Sequence, residues 1–185
     1  MADEKGVPFW KAFSTAHRGG ILALTGEASD AIQTINAAIT GYRSTGATLF
    51  TTSFLSYLAL ACAELRKFDD AWRYIDDAIS TIETTKERWF EAETNRIAGE
   101  IALKSPEPDA AKAQEYFERA LAVSRQQHAK SWELRAATSM ARLWRDQGKR
   151  QQARELLAPV YGWFTEGFDT LDLKEAKALL NELAS

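Results

Sequence analysis

The chain has 185 residues, 45% of them apolar and 26% charged, which fits one globular domain and excludes extended disorder. Its 23 basic and 26 acidic residues leave a net charge of −3 with no basic stripe, so nucleic acid is not an expected partner. A single cysteine, Cys62, forms no internal disulfide and points to no oxidising compartment.

The first residues, MADEKGVPFW, carry charges of both signs and lack the apolar core of a signal peptide. The longest apolar run, FLSYLALACAEL at 54–65, is too short to span a bilayer and contains Ser56 and Glu64. These features predict a cytoplasmic protein with no membrane association.

Along the chain a pattern recurs every 40 to 42 residues. An aromatic stands at Trp10, Phe50, Phe90 and Trp132. A small residue follows at Gly19, Ala59, Gly99 and Ala141, and an alanine at Ala31, Ala71, Ala113 and Ala153. Two extra residues fall in the third unit, in LKSPEPDAA, where Pro106 and Pro108 mark a loop. After each alanine, Ile35, Ile75, Phe117 and Leu157 lie four residues on, and Ala38, Ala78, Ala120 and Val160 seven on. That i, i+4, i+7 spacing is one helical face.

Each unit therefore reads as two amphipathic helices joined by a tight turn: TGEAS, RKFDD, SPEPD or QGKRQ. Gly26 and Gly148 are placed for left-handed C-caps, and Asp69 and Asp109 for N-caps. The small residues predict close contact between the two helices of each unit. The expected units are about 8–45, 48–85, 88–127 and 130–165, in a single domain spanning 1–185.

The closing stretch PVYGWFTEGFDTLDLKEAKALL carries Tyr161, Trp163, Phe164 and Phe168. Gly167 breaks the helix, and Leu173, Ala176, Leu179 and Leu183 then form one stripe. A capping helix over about 170–184 is expected to cover the last unit, with Lys174, Glu175, Lys177 and Glu182 facing water.

Chemistry-bearing patterns are scarce. The chain has no phosphate-binding glycine loop and no nucleophile elbow. His17 and His128 stand far apart with no carboxylate at ligand spacing, so no metal site, cofactor or catalytic centre is expected. The pairs Asp69–Asp70 and Asp76–Asp77 read as capping and solvated residues, and Cys62 as a buried thiol. Trp10, Trp132 and Trp144 are expected in the core.

The repeat resembles the tetratricopeptide (TPR) family, whose usual period is about 34 residues. The excess length here is assigned to a longer first helix and to links such as ETTKER at 83–88. Residues 133–183 are similar to the C-terminal end of large bacterial signalling proteins, in which a class III nucleotide cyclase or similar effector and an AAA-type ATPase precede a tetratricopeptide region. The resemblance implies an all-α fold: a right-handed α-solenoid of about four TPR-like hairpins plus the capping helix. It also implies a non-catalytic scaffold binding a protein or peptide in a concave groove, or else a small-ligand-sensing regulatory domain of a cyclase or ATPase effector.

Carried over by register, the groove residues are Phe13 and His17 in unit one, with Ala16 and Gly20 beside them. Unit two supplies Tyr57, Leu60 and Glu64 beside Ser53 and Ser56, unit three Glu93, Arg96 and Glu100, and unit four Arg135, Arg142 and Arg145. The arginines could capture a carboxylate or phosphate, or pair with Glu93, Glu100 and Glu133. The positions of the chaperone-binding clamp hold Ala16, Gly20, Ser56 and Leu60, which disfavours that activity. Phe9, Phe13 and Ile21 on unit one form a candidate homodimer face.

Overall fold

The computed structural model describes residues 3–184. Among them are nine α-helices and no strand: α1 (Asp3–Leu24), α2 (Ala28–Ser44), α3 (Thr51–Glu64), α4 (Phe68–Thr85), α5 (Glu91–Lys104), α6 (Ala110–Gln126), α7 (Lys130–Asp146), α8 (Arg150–Gly162) and α9 (Leu171–Ala184). Each odd-numbered helix packs on the even-numbered one that follows it and on the next odd-numbered helix. Each even-numbered helix also touches the next odd one, while α4 and α6 meet through side chains, Trp72 lying 5.9 Å from the Tyr116 ring and 3.9 Å from Lys112 Nζ.

That contact pattern explains the composition of the elements. The odd helices α3 and α5 are enclosed on several sides, and nearly every residue from Thr51 to Ala63 and from Phe90 to Ala102 is buried or half-buried. A helix surrounded in this way loses the one-sided apolar stripe of a surface helix. By contrast α4 buries only Ala71, Ile75, Ala78 and Ile82, one stripe at helical spacing.

The small-residue registers lie where the helices of each unit approach. Ala31, Ala71, Ala113 and Ala153 are wholly buried, as are Ala59 and Ala141. A Cβ on Gly19 would stand 2.5 Å from Ile35 Cγ1 and 3.4 Å from the Ala31 carbonyl oxygen. One on Gly99 would stand 2.4 Å from Phe117 Cε1. The glycines thus make room chiefly for the residue four places after the alanine.

Gly41 is the opposite case. It lies inside α2, and a Cβ there would meet only Ala12 Cβ, at 3.7 Å. Gly41→Ala is expected to stabilise the fold by about 0.5–1 kcal/mol, because alanine loses less backbone entropy in a helix and meets no obstruction here. Chemical denaturation that showed a loss would refute this.

Gly26 (φ 89°) and Gly148 (φ 76°) adopt the expected left-handed conformation, and Arg66 (φ 59°) adopts it in the turn between α3 and α4. All three turns close with the same backbone bond: Glu27 N to Leu22 O, Lys67 N to Cys62 O, and Lys149 N to Trp144 O. These are the 6→1 bonds of a Schellman C-cap.

Several expectations need correction. Asp109 caps α6, accepting from the Lys112 amide at 2.9 Å, but Lys67 occupies the N-cap of α4, and Asp69 lies inside its first turn. A carboxylate there still favours the positive helix end. The length of units two and three lies in their second helices, 18 and 17 residues, against 14 for each first helix. Trp10 is 63% exposed and outside the core, whereas Trp132 and Trp144 are half-buried.

At the C-terminal end α9 packs on α7 and α8 and buries Leu173, Ala176, Leu179 and Leu183. The aromatic cluster divides. Tyr161 and Phe164 pack on the core, Phe164 from beyond the end of α8, while Trp163 and Phe168 are exposed. On unit one, Phe9 and Phe13 turn inward against Tyr42, with ring centroids 5.5 and 6.5 Å away. Of the three residues expected at a dimer face, only Ile21 is exposed.

Candidate functional site

The row of odd helices presents one surface on which most of the expected groove residues meet. Leu60, Glu64, Arg96, Glu100 and Arg142 line a recess of about 500 Å³, together with Leu24, Lys104 and Glu175. A second recess of about 250 Å³ shares Leu24, Arg96, Arg142 and Glu175 and adds Arg135, Ser139, Leu171 and Asp172. The surface thus receives residues from α1, α3, α5, α7 and α9.

Glu93 lies buried beside this surface, 1% exposed. It takes two hydrogen bonds from Arg96, at 2.8 and 2.9 Å, and pairs with Arg135 across the helix boundary at 2.9 Å. Arg96 also reaches Glu100 at 3.2 Å. Burial alone would lower the pKa of Arg96, but the charges of Glu93, Glu100 and Asp172 and the Glu93 hydrogen bond together hold it above the ordinary arginine value. Ser139 donates to Glu100 at 2.6 Å, and Lys104 pairs with Glu64.

The capping helix supplies the remaining partners. Arg142 pairs with Glu175 at 2.7 Å, Arg145 with Glu182 at 3.0 Å, and Arg135 approaches Asp172 at 3.8 Å. Glu175 and Glu182 were expected to face water alone; they instead bind the arginines of α7. Arg145 lines neither recess and is also held by Asp146.

Glu133 belongs to a different cluster from the one expected. It is 5% exposed and accepts from Arg125 at 2.9 Å and Lys130 at 2.7 Å. Burial would raise its pKa, but those two bonds and charges outweigh it and hold the carboxyl below its ordinary value. Its unfolded pKa is then the higher one. Its stabilising contribution is therefore complete above the ordinary carboxylate range and disappears as pH falls through the depressed folded value. The urea midpoint of Glu133→Gln should lie below that of the native chain at neutral pH, and the gap should close in acid. A gap independent of pH would contradict this.

Phe13 and His17 do not line the recesses. The His17 ring lies 4.1 Å from Phe13 and 5.2 Å from Phe54, and its Nδ1 is 2.9 Å from the Phe13 carbonyl oxygen. Tyr57 packs on Phe90 at 5.5 Å and over Gly20, whose Cβ would stand 2.8 Å from its ring. Burial first, then the charge of Glu93, pushes the Tyr57 phenol up. Ala16, Gly20, Ser53 and Ser56 are buried, and Ser56 Oγ lies 2.9 Å from Thr94 Oγ1.

The recurrent aromatics have a structural role. Ring contacts run from Phe13 to Phe50 (5.1 Å), to Trp89 (5.0 Å), to Phe90 (5.0 Å) and to Trp132 (5.3 Å), linking successive odd helices.

Leu24, Leu171, Asp172 and Glu175 were not identified from sequence. Leu24 continues the seven-residue spacing of Trp10 and His17, a signal that was available. The α9 residues had none, because a cap is expected to turn its charges to solvent.

Among the described residues no group of three or more His, Cys, Asp or Glu could hold a metal ion, and no helix is long and apolar enough to cross a membrane. Cys62 is buried, and burial, with a smaller effect of Asp70, pushes its thiol pKa up. No protein-family model matches the chain, and no curated protein matches it.

Proposed function

We propose that the chain is a non-catalytic interaction scaffold of tetratricopeptide type, with four hairpins in a right-handed α-solenoid closed by α9. In this reading it seats a segment of a protein partner along the surface of its odd helices. It serves as the regulatory or partner-binding region of a cytoplasmic bacterial signalling system, alongside an effector such as a nucleotide cyclase or ATPase. The observation that carries the reading is the pair of adjoining recesses lined by all five odd helices. A surface assembled from every repeat suits an extended or helical segment.

The test is capture of partners by the immobilised chain, compared with two variants. Leu24→Asp and Arg142→Glu should each weaken capture about tenfold or more, while Lys174→Glu, on the outer side of α9, should not. Capture unchanged by both groove variants would exclude this surface. A thermal-shift response to a nucleotide or metabolite, with no protein captured, would favour the ligand-sensing alternative.

A further inference from the structure

Resting on the groove reading above, we infer that the surface selects an uncharged segment anchored by one leucine-type side chain, held between the first and last helices. The arginines do not act as an anion receptor. Every charged side chain lining the two recesses already has an opposite partner: Arg96 with Glu93 and Glu100, Lys104 with Glu64, Arg135 with Glu93, and Arg142 with Glu175. Asp172 faces Arg135. An incoming carboxylate would meet the carboxylate that already stands beside each arginine, and an incoming ammonium the cation beside each carboxylate, so like charges oppose both.

Beside these mutually paired charges the surface also leaves apolar side chains uncovered. Leu24 is 48% exposed and Leu171 is 69% exposed. They line the same recess, although the backbones of α1 and α9 do not approach each other. Half-buried Leu60 lines the adjoining recess together with Leu24. An apolar side chain in the first recess would cover Leu24 of α1 and Leu171 of α9, and the segment that carries it would run on past Leu60 of α3 in the adjoining recess. The occupant would therefore bridge two ends of the chain that the fold itself leaves apart.

The probes are N-acetyl-leucinamide and N-acetyl-aspartamide, followed by NMR of the leucine methyl and arginine Nε signals of the whole chain. The leucine probe should move the Leu24, Leu60 and Leu171 methyls, equally at low and high salt, and bind about five- to tenfold tighter than the aspartate probe. It should also slow amide exchange at both 21–26 and 167–173. Leu171→Asp, at a position exposed enough to leave folding intact, should abolish the methyl shifts. Stronger binding of the aspartate probe, with movement of the Arg135 and Arg142 signals, would overturn the inference and leave the groove reading standing. Absence of methyl shifts with the leucine probe would also overturn it. Partner capture insensitive to Leu24→Asp and Arg142→Glu would remove the groove reading itself.

Discussion

Glu93→Ala is expected to lower stability by about 3–5 kcal/mol, the cost of leaving a buried charge without its partner. Arg96 is 11% exposed and directs two of its hydrogen bonds to Glu93; Arg135, on the neighbouring helix, pairs with the same carboxylate. Without Glu93, Arg96 retains only Glu100 and Ser139 on one side of its guanidinium. The change should appear as a lower urea midpoint with an unchanged slope. Adding Arg96→Met should recover part of the loss, because an apolar chain of similar length needs no counter-charge. A loss below about 1 kcal/mol for Glu93→Ala would show that water enters this site and screens the arginines.

The second large effect concerns packing. Gly99→Val should destabilise by about 2–3 kcal/mol and lower Tm by about 4–12 °C. A Cβ at this position would lie within 3.0 Å of three ring atoms of Phe117, which is wholly buried. The valine branches add bulk in the same direction. The helix gains propensity when glycine is replaced, but that gain is below the cost of moving a core ring. Truncating the ring in Gly99→Val/Phe117→Leu should restore some stability, a coupling expected only of residues in contact. Additive losses in the double variant would refute the contact. Gly99→Val and Gly41→Ala together form a sign test: two helical glycines with opposite outcomes, decided by what stands opposite each one.

Several residues that register places on one surface line the two recesses. Leu60, Glu64, Arg96, Glu100, Arg135 and Arg142 meet there. Phe13, His17 and Tyr57 were placed on the same surface by register, but aromatic neighbours draw them into the packing between helices. Register gives the side of a helix on which a residue starts. It does not give the rotamer or the size of the side chain that arrives from the next helix.

Periodicity alone determined that this protein is built of helices, where they pair and where the third unit is longer. Those features depend on spacing within one helix or across one turn, and local geometry sets both. The small residues also announced their close approaches, since a missing side chain permits little else at a repeated position. Only the tertiary structure decided what each charge faces. The arginines of α7 are held by carboxylates on α5 and α9 that stand 33 to 42 residues away in the chain, and that pairing depends on the rotation and offset of whole helices. It likewise brought Leu24 and Leu171 to one recess from the first and last helices, because the packing of each odd-numbered helix on the next sets where the two ends stand.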